Sequence, residues 1–216
     1  TIAIEGAASS SSAENYSFSI SPVTDVHLPL TMNAVTSGAV SEPGQSADYA
    51  FTLAATTSIY FDALTNDPDL VWSLSGPRGV EVSPTTFDKS DAKGAGSGNT
   101  LLTLPAGDYH LTVVGTADHT GQFSFRLTTL PSGTSVTPGQ ATTATLTTPN
   151  ATLFYKFDVQ ALDNITVDVQ SVAGGSPYWR LFDGYGHQIW AGDVASGPQT
   201  VPSAPGTGPP ILPIQG

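Results

Sequence analysis

Apolar and polar residues alternate with a period of two along short stretches of the chain: "YAFTL" (49–53), "IYFDAL" (59–64), "VWSLS" (71–75), "YHLTVV" (109–114) and "QFSFRL" (122–127). Successive side chains of an extended strand point to opposite faces, so each stretch sends aromatic or aliphatic residues one way and Ser, Thr or Asp the other. Gly and Pro punctuate the stretches, as in "SGPRG", "LPAGD" and "TPGQ", supplying the φ values that turns require. No capped stretch with a 3.6-residue apolar period accompanies them. The pattern predicts an all-β antiparallel sandwich.

The chain also repeats itself. "YAFTLAATTSIYFDAL" (49–64) lies over "YKFDVQALDNITVDVQ" (155–170) at an offset of 106, matching Tyr49 with Tyr155, Phe51 with Phe157, Leu53 with Val159 and Ile59 with Ile165. "VWSLSGPRG" (71–79) lies over "YWRLFDGYG" (178–186) at an offset of 107, matching Trp72 with Trp179, Leu74 with Leu181 and Gly79 with Gly186. Inward positions are kept while outward ones drift, as two copies of one module require.

The ends continue the repeat. "FSFRL" (123–127) matches "YSFSI" (16–20), and "LTVVG", closing at Gly115, matches "IAIEG", closing at Gly6. Residues 1–20 therefore read as the last two strands of a module begun elsewhere, 21–33 as a linker and 34–128 as a complete module. Residues 129–133 form a second linker, and 134–216 a module without its last two strands. Joining "LPIQG" to "TIAIEG" gives a string that reads against "LPAGDYHLTVVG" (104–115) with one residue fewer, so the two ends complement each other. The expected fold is a tandem of jelly-roll-like antiparallel β-sandwich modules of about 107 residues each.

The segments "YKFDV", "YWRLFDGYGHQIW" (178–190), "LPAGDYHLTVVG" and "YSFSI" together resemble the bacterial pre-peptidase C-terminal domain family and related modules of large repetitive surface proteins. The resemblance implies a jelly-roll-like sandwich placed outside the cell, secreted or on the cell surface. Some members of that family and its relatives bind calcium or collagen, and others trail secreted peptidases.

Composition narrows the function. Six Lys and Arg against eighteen Asp and Glu give a formal net charge of -12, which repels nucleic acid. Cysteine is absent, so neither a disulfide framework nor a thiolate metal site is available. No apolar run approaches the roughly 18 residues of a membrane span, and "TIAIEG" lacks the basic start and apolar core of a signal peptide.

Candidate chemistry is sparse. Asp62, Asp67, Asp69, Asp88 and Asp91 are candidate ligands for calcium, the one cofactor considered, since calcium favours clustered carboxylate oxygens. Asp residues in turns also serve local hydrogen bonding. His27, His110, His119 and His187 lack metal-ligand spacing, and the serines sit in no G-x-S-x-G elbow, so no enzyme is expected. Trp72 and Trp179 alternate with Leu at matched positions and read as core. Tyr185 and Trp190 lack that pattern and are the candidate contacts for a glycan or host-matrix ligand.

An unclosed sandwich exposes backbone groups and apolar core. Donated strands carrying Ile2, Ile4, Tyr16, Phe18 and Ile20 would bury them for a gross gain on the order of 7–15 kcal/mol before ordering entropy. The sequence-based expectation is a structural repeat unit of an extracellular bacterial filament, fibre or adhesin stalk. Its partners are further copies of itself, joined head to tail by completion of the open sandwich. Closure by residues 1–20 within one chain is the alternative architecture. An accessory module of a secreted protein, binding calcium, carbohydrate or protein, is the alternative function.

Overall fold

The computed structural model describes residues 1–6, 12–13, 15–91, 94–96, 98–147, 150–159, 165–194, 197–201 and 211–215. The first half holds β1 (Val26–Pro29), β2 (Val35–Val40), β3 (Ser46–Leu53), β4 (Thr57–Ala63), β5 (Leu70–Gly76), β6 (Gly79–Thr86), β7 (Leu101–Leu104), β8 (Gly107–Gly115) and β9 (Gly121–Thr129). The second half holds β10 (Thr134–Ser135), β11 (Thr152–Lys156), β12 (Ile165–Val169), β13 (Tyr178–Phe182), β14 (Gln188–Asp193), β15 (Gly197–Val201) and β16 (Ile211–Gln215). Two short 3-10 turns, Phe87–Lys89 and Leu130–Ser132, are the helical elements among the described residues. The fold is all-β, with several sheets packed as sandwiches.

Each alternating stretch of the sequence lies within a strand: 49–53 in β3, 59–64 along β4, 71–75 in β5, 109–114 in β8 and 122–127 in β9. Their inward residues make the first core. Tyr49, Leu70, Tyr109, Leu111, Phe123 and Phe125 are buried there. Phe61 stacks flat on Trp72 with ring centroids 3.9 Å apart and on Phe125 at 5.3 Å. Such aromatic contacts add to the gain from area burial alone.

The first sandwich consists of a five-stranded sheet, β1-β3-β8-β5-β6, facing a four-stranded sheet, β2-β9-β4-β7. The segment read as a linker, 21–33, therefore contributes β1, which runs parallel to β3 with Leu28 opposite Tyr49. The 129–133 segment contributes the end of β9 and the second 3-10 turn.

The second half repeats the larger sheet strand for strand, as β10-β11-β16-β13-β14. Its β13–β14 hairpin turns at Gly186 with φ +86, as the β5–β6 hairpin turns at Gly79 with φ +91. Both positions need a residue without Cβ strain in the left-handed region. The smaller sheet is not repeated in full: β12 pairs with β15, as β4 pairs with β7, and no other strand joins them among the described residues.

The two halves abut. Tyr60 of β4 meets Phe154 of β11 edge-on at 5.2 Å, within a buried cluster that also holds Leu101, Leu130 and Phe182. Arg126 donates to Asp62 Oδ2 at 2.5 Å and to the Thr152 carbonyl at 2.9 Å, while the Thr152 hydroxyl donates to Asp62 Oδ1 at 2.7 Å. Arg180, 1% exposed, donates across to the carbonyls of Gly98 and Gly96 at 2.9 and 2.7 Å.

Candidate functional site

The unfinished small sheet of the second half is the candidate site. In the first sandwich β9 lies between β2 and β4, and β2 has β9 as its sheet partner. At the repeat offset β12 stands where β4 does, so the side of β12 away from β15 is the position β9 would hold. Residues 141–147, in the position of β2, form no strand and are largely exposed. A strand whose one partner is missing has no ladder to join, which accounts for their irregular path.

Burial records the same vacancy. Phe61 and Ala63 on β4 are each 2% exposed, whereas their counterparts Val167 and Val169 on β12 are half-buried. Tyr49 and Phe51 are buried, whereas Tyr155 and Phe157 are only partly so. The indole N–H of Trp72 donates to Ser90 Oγ at 2.6 Å. That of Trp179, although buried, meets no acceptor among the described residues. Among the described residues the second core is an apolar cluster around Ile165, Trp179 and Leu181 with no strand on the outer edge of β12.

The position of β8, the strand that precedes β9 in the chain and lies in the facing sheet, has its counterpart in β16. β16 pairs with both β11 and β13 as β8 pairs with β3 and β5, placing Ile214 opposite Trp179 where Val113 is opposite Trp72. The matching of "LPIQG" with 104–108 thus set these residues too early on the strand: they form the penultimate strand itself. In the structure Ile2 and Ile4 are 60% and 48% exposed, and the described residues before Val26 form no strand. Tyr16, Phe18 and Ile20 are 69%, 58% and 70% exposed, and the Tyr16 and Phe18 rings stack at 6.3 Å. They do not pair with β12 of their own chain.

The candidate calcium ligands are not brought together. Asp62 is committed to Arg126 and Thr152. Asp91 accepts from the Ala63 amide at 2.5 Å, and Asp88 from the Thr86 hydroxyl. Asp67 faces His119 at 3.1 Å and accepts from the Asp69 amide at 2.8 Å, and Asp69 accepts from the Thr116 hydroxyl. Among the described residues no three His, Asp or Glu side chains converge as a metal would need. Desolvation raises the pKa of the buried Asp62 carboxyl, opposed by the Thr152 hydroxyl and the Arg126 charge.

Each histidine faces a carboxylate: His27 and His110 face Asp48, His119 faces Asp67, and His187 faces Asp183. Trp72 and Trp179 are buried, 3% and 2% exposed. Trp190 is half-buried, its ring packed edge-on against Trp179 at 5.0 Å. Tyr185, at the β13–β14 turn, is 59% exposed. Arg180 was not singled out by sequence, because a lone Arg in an alternating strand reads as outward-facing.

No family model matches the sequence, and no curated protein matches it. Among solved structures, a periplasmic inhibitor of g-type lysozyme from Salmonella Typhimurium aligns at 18% identity and a TM-score of 0.36. It covers 47% of this chain and 98% of its own. A mutant of the Escherichia coli inhibitor aligns at 14% identity and a TM-score of 0.35, covering 48% and 99%. The Aeromonas hydrophila inhibitor aligns at 11% and 0.35, covering 49% and 99%. Likenesses at this level carry no inference about this chain's function. Among the described residues no helix is long and apolar enough to cross a membrane.

Proposed function

We propose that this chain is a non-catalytic, exported binding module that takes up an extended polypeptide on the free edge of β12. The single observation that supports the reading is the unmatched strand position: among the described residues β12 has a partner on one side, while its counterpart β4 has partners on both. A peptide laid there gains backbone hydrogen bonds along the ladder and buries every second side chain against Val167 and Val169, the physics of β-augmentation. In this reading the chain is a pair of tandem jelly-roll-like modules akin to the pre-peptidase C-terminal domains, acting outside the cytoplasm as an accessory part of a surface protein. Where the peptide comes from another such unit, the same edge makes the chain a repeat of a filament, fibre or adhesin stalk.

The test is selection of extended peptides from a displayed library on the immobilised 216-residue chain. Binders should carry apolar residues at every second position, and Val167→Asp should abolish their capture while the first sandwich melts unchanged. Failure to select any binder, or binders indifferent to Val167→Asp, would remove the proposal.

A further inference from the structure

We infer that the strand completing β12 is Tyr16–Ile20 of a second copy of this chain, inserted alone, so that copies join head to tail. The inference rests on the peptide-binding reading and names the peptide. β9 of the first sandwich shows what the vacancy requires: Phe123, Phe125 and Leu127 point inward and are buried, with polar residues between them. Tyr16, Phe18 and Ile20 repeat that spacing, with Ser17 and Ser19 between.

The repeat fixes the register. Ala63 is opposite Phe125, Asp62 opposite Arg126 and Phe61 opposite Leu127. Carried across, Phe18 falls opposite Val169, Ser19 opposite Asp168 and Ile20 opposite Val167, antiparallel to β12. On the far side Phe18 meets Thr142, as Phe125 meets Thr36, and residues 141–146 gain the partner that β2 has. One strand suffices because β16 already holds the position of β8 in the facing, larger sheet. The incoming segment has no charge, so it passes Asp168 without the repulsion that an acidic strand of this chain would meet.

The exposure of these residues points to a second copy. In its own chain the Tyr16–Ile20 segment leaves its apolar side chains open to solvent, while β12 of the same chain has β15 on one edge and no strand on the other among the described residues. Aromatic side chains bury about 150–250 Å² each. With Ile20 and the matching area on the acceptor, the contact reaches roughly 1,000 Å², where specific interfaces begin. Donor and acceptor are different surfaces of one molecule, so the contact is heterologous and grows as an open filament unless its rotation closes a ring.

Because the chain is free of cysteine, the pairing can be trapped. Directly opposite residues of an antiparallel pair lie about 4.5–5.5 Å apart at Cα, within disulfide reach. Ser19→Cys combined with Asp168→Cys in the full chain should give, under mild oxidation, a ladder of covalent multimers on a non-reducing gel, and neither single variant should give more than dimer. Phe18→Asp, at an exposed position, should weaken self-association about 10- to 100-fold by sedimentation with an unchanged circular dichroism spectrum. A cross-linked species confined to monomer would place the strand in its own chain and overturn the inference. So would the absence of any cross-link. If library peptides still bind the β12 edge in either case, peptide binding stands and only the identity of the strand falls.

Discussion

Ile214 stands directly opposite Trp179, as Val113 stands opposite Trp72 in the other half of the chain. This one pairing changes what the second sandwich needs. With β16 seated between β11 and β13, its larger sheet has the same five-strand order as the first, and the shortfall is confined to the edge of β12.

Phe125 and Phe18 are the same residue type at matched positions in opposite situations, one fully buried and one exposed. Phe125→Ala should cost about 3–5 kcal/mol, as large-to-small changes in a packed core do. Phe18→Ala in dilute, unassociated protein should change stability by less than about 0.5 kcal/mol. Urea denaturation of both variants checks the contrast.

Trp190→Ala should destabilise the second half by about 2–3 kcal/mol, the lower part of the core range, because its ring is half-buried against Trp179. Tyr185→Ala, at an exposed turn, should stay within about 0.5 kcal/mol. Near-ultraviolet circular dichroism during denaturation distinguishes them. Equal, negligible effects would return Trp190 to the surface.

Asp62 has its pKa raised by burial, which sets the sign of its pH dependence. A carboxyl whose folded pKa lies above its unfolded value of about 3.9 favours folding more as pH falls through the folded value, and the gain is complete below the unfolded one. The melting temperature of the wild type relative to Asp62→Asn should therefore move in favour of the wild type between pH 7 and pH 4. Movement the other way would mean that Arg126 outweighs desolvation.

Arg180→Met should loosen the junction of the halves. It removes the donors to the carbonyls of Gly96 and Gly98, and a hydrogen bond from a charged group contributes about 1.5–3 kcal/mol. Scanning calorimetry should resolve two transitions in the variant where the wild type gives one.

Calcium should leave the melting temperature unchanged, since Asp62, Asp67, Asp69, Asp88 and Asp91 are held by separate partners. A rise reversed by chelator would show that the carboxylates regroup around the ion.

Much of the fold was legible because its cores are built on period-two alternation, and the turn glycines Gly79 and Gly186 stand at matched points of both hairpins. β1 was not legible: four residues ending in Pro carry too little alternation to separate a strand from a linker. The placing of β16 failed for a related reason. "ILPIQ" holds a proline inside an apolar run, which reads as a turn signal, and the "LP" match with 104–105 pulled the register away from Trp179. The vacancy beside β12 was foreshadowed by the repeat, but its width of one strand appeared only with the sheet order. The Asp62–Arg126–Thr152 and Arg180 contacts had no signal in the sequence, because they join residues far apart along the chain.

Those contacts between the halves bear on mechanics. A pull on one sandwich reaches the other through Arg126, Arg180 and the Tyr60–Phe154 contact as well as through the short covalent connection. A load on either sandwich is thereby shared by both, since these contacts would have to break before the covalent connection alone carried it.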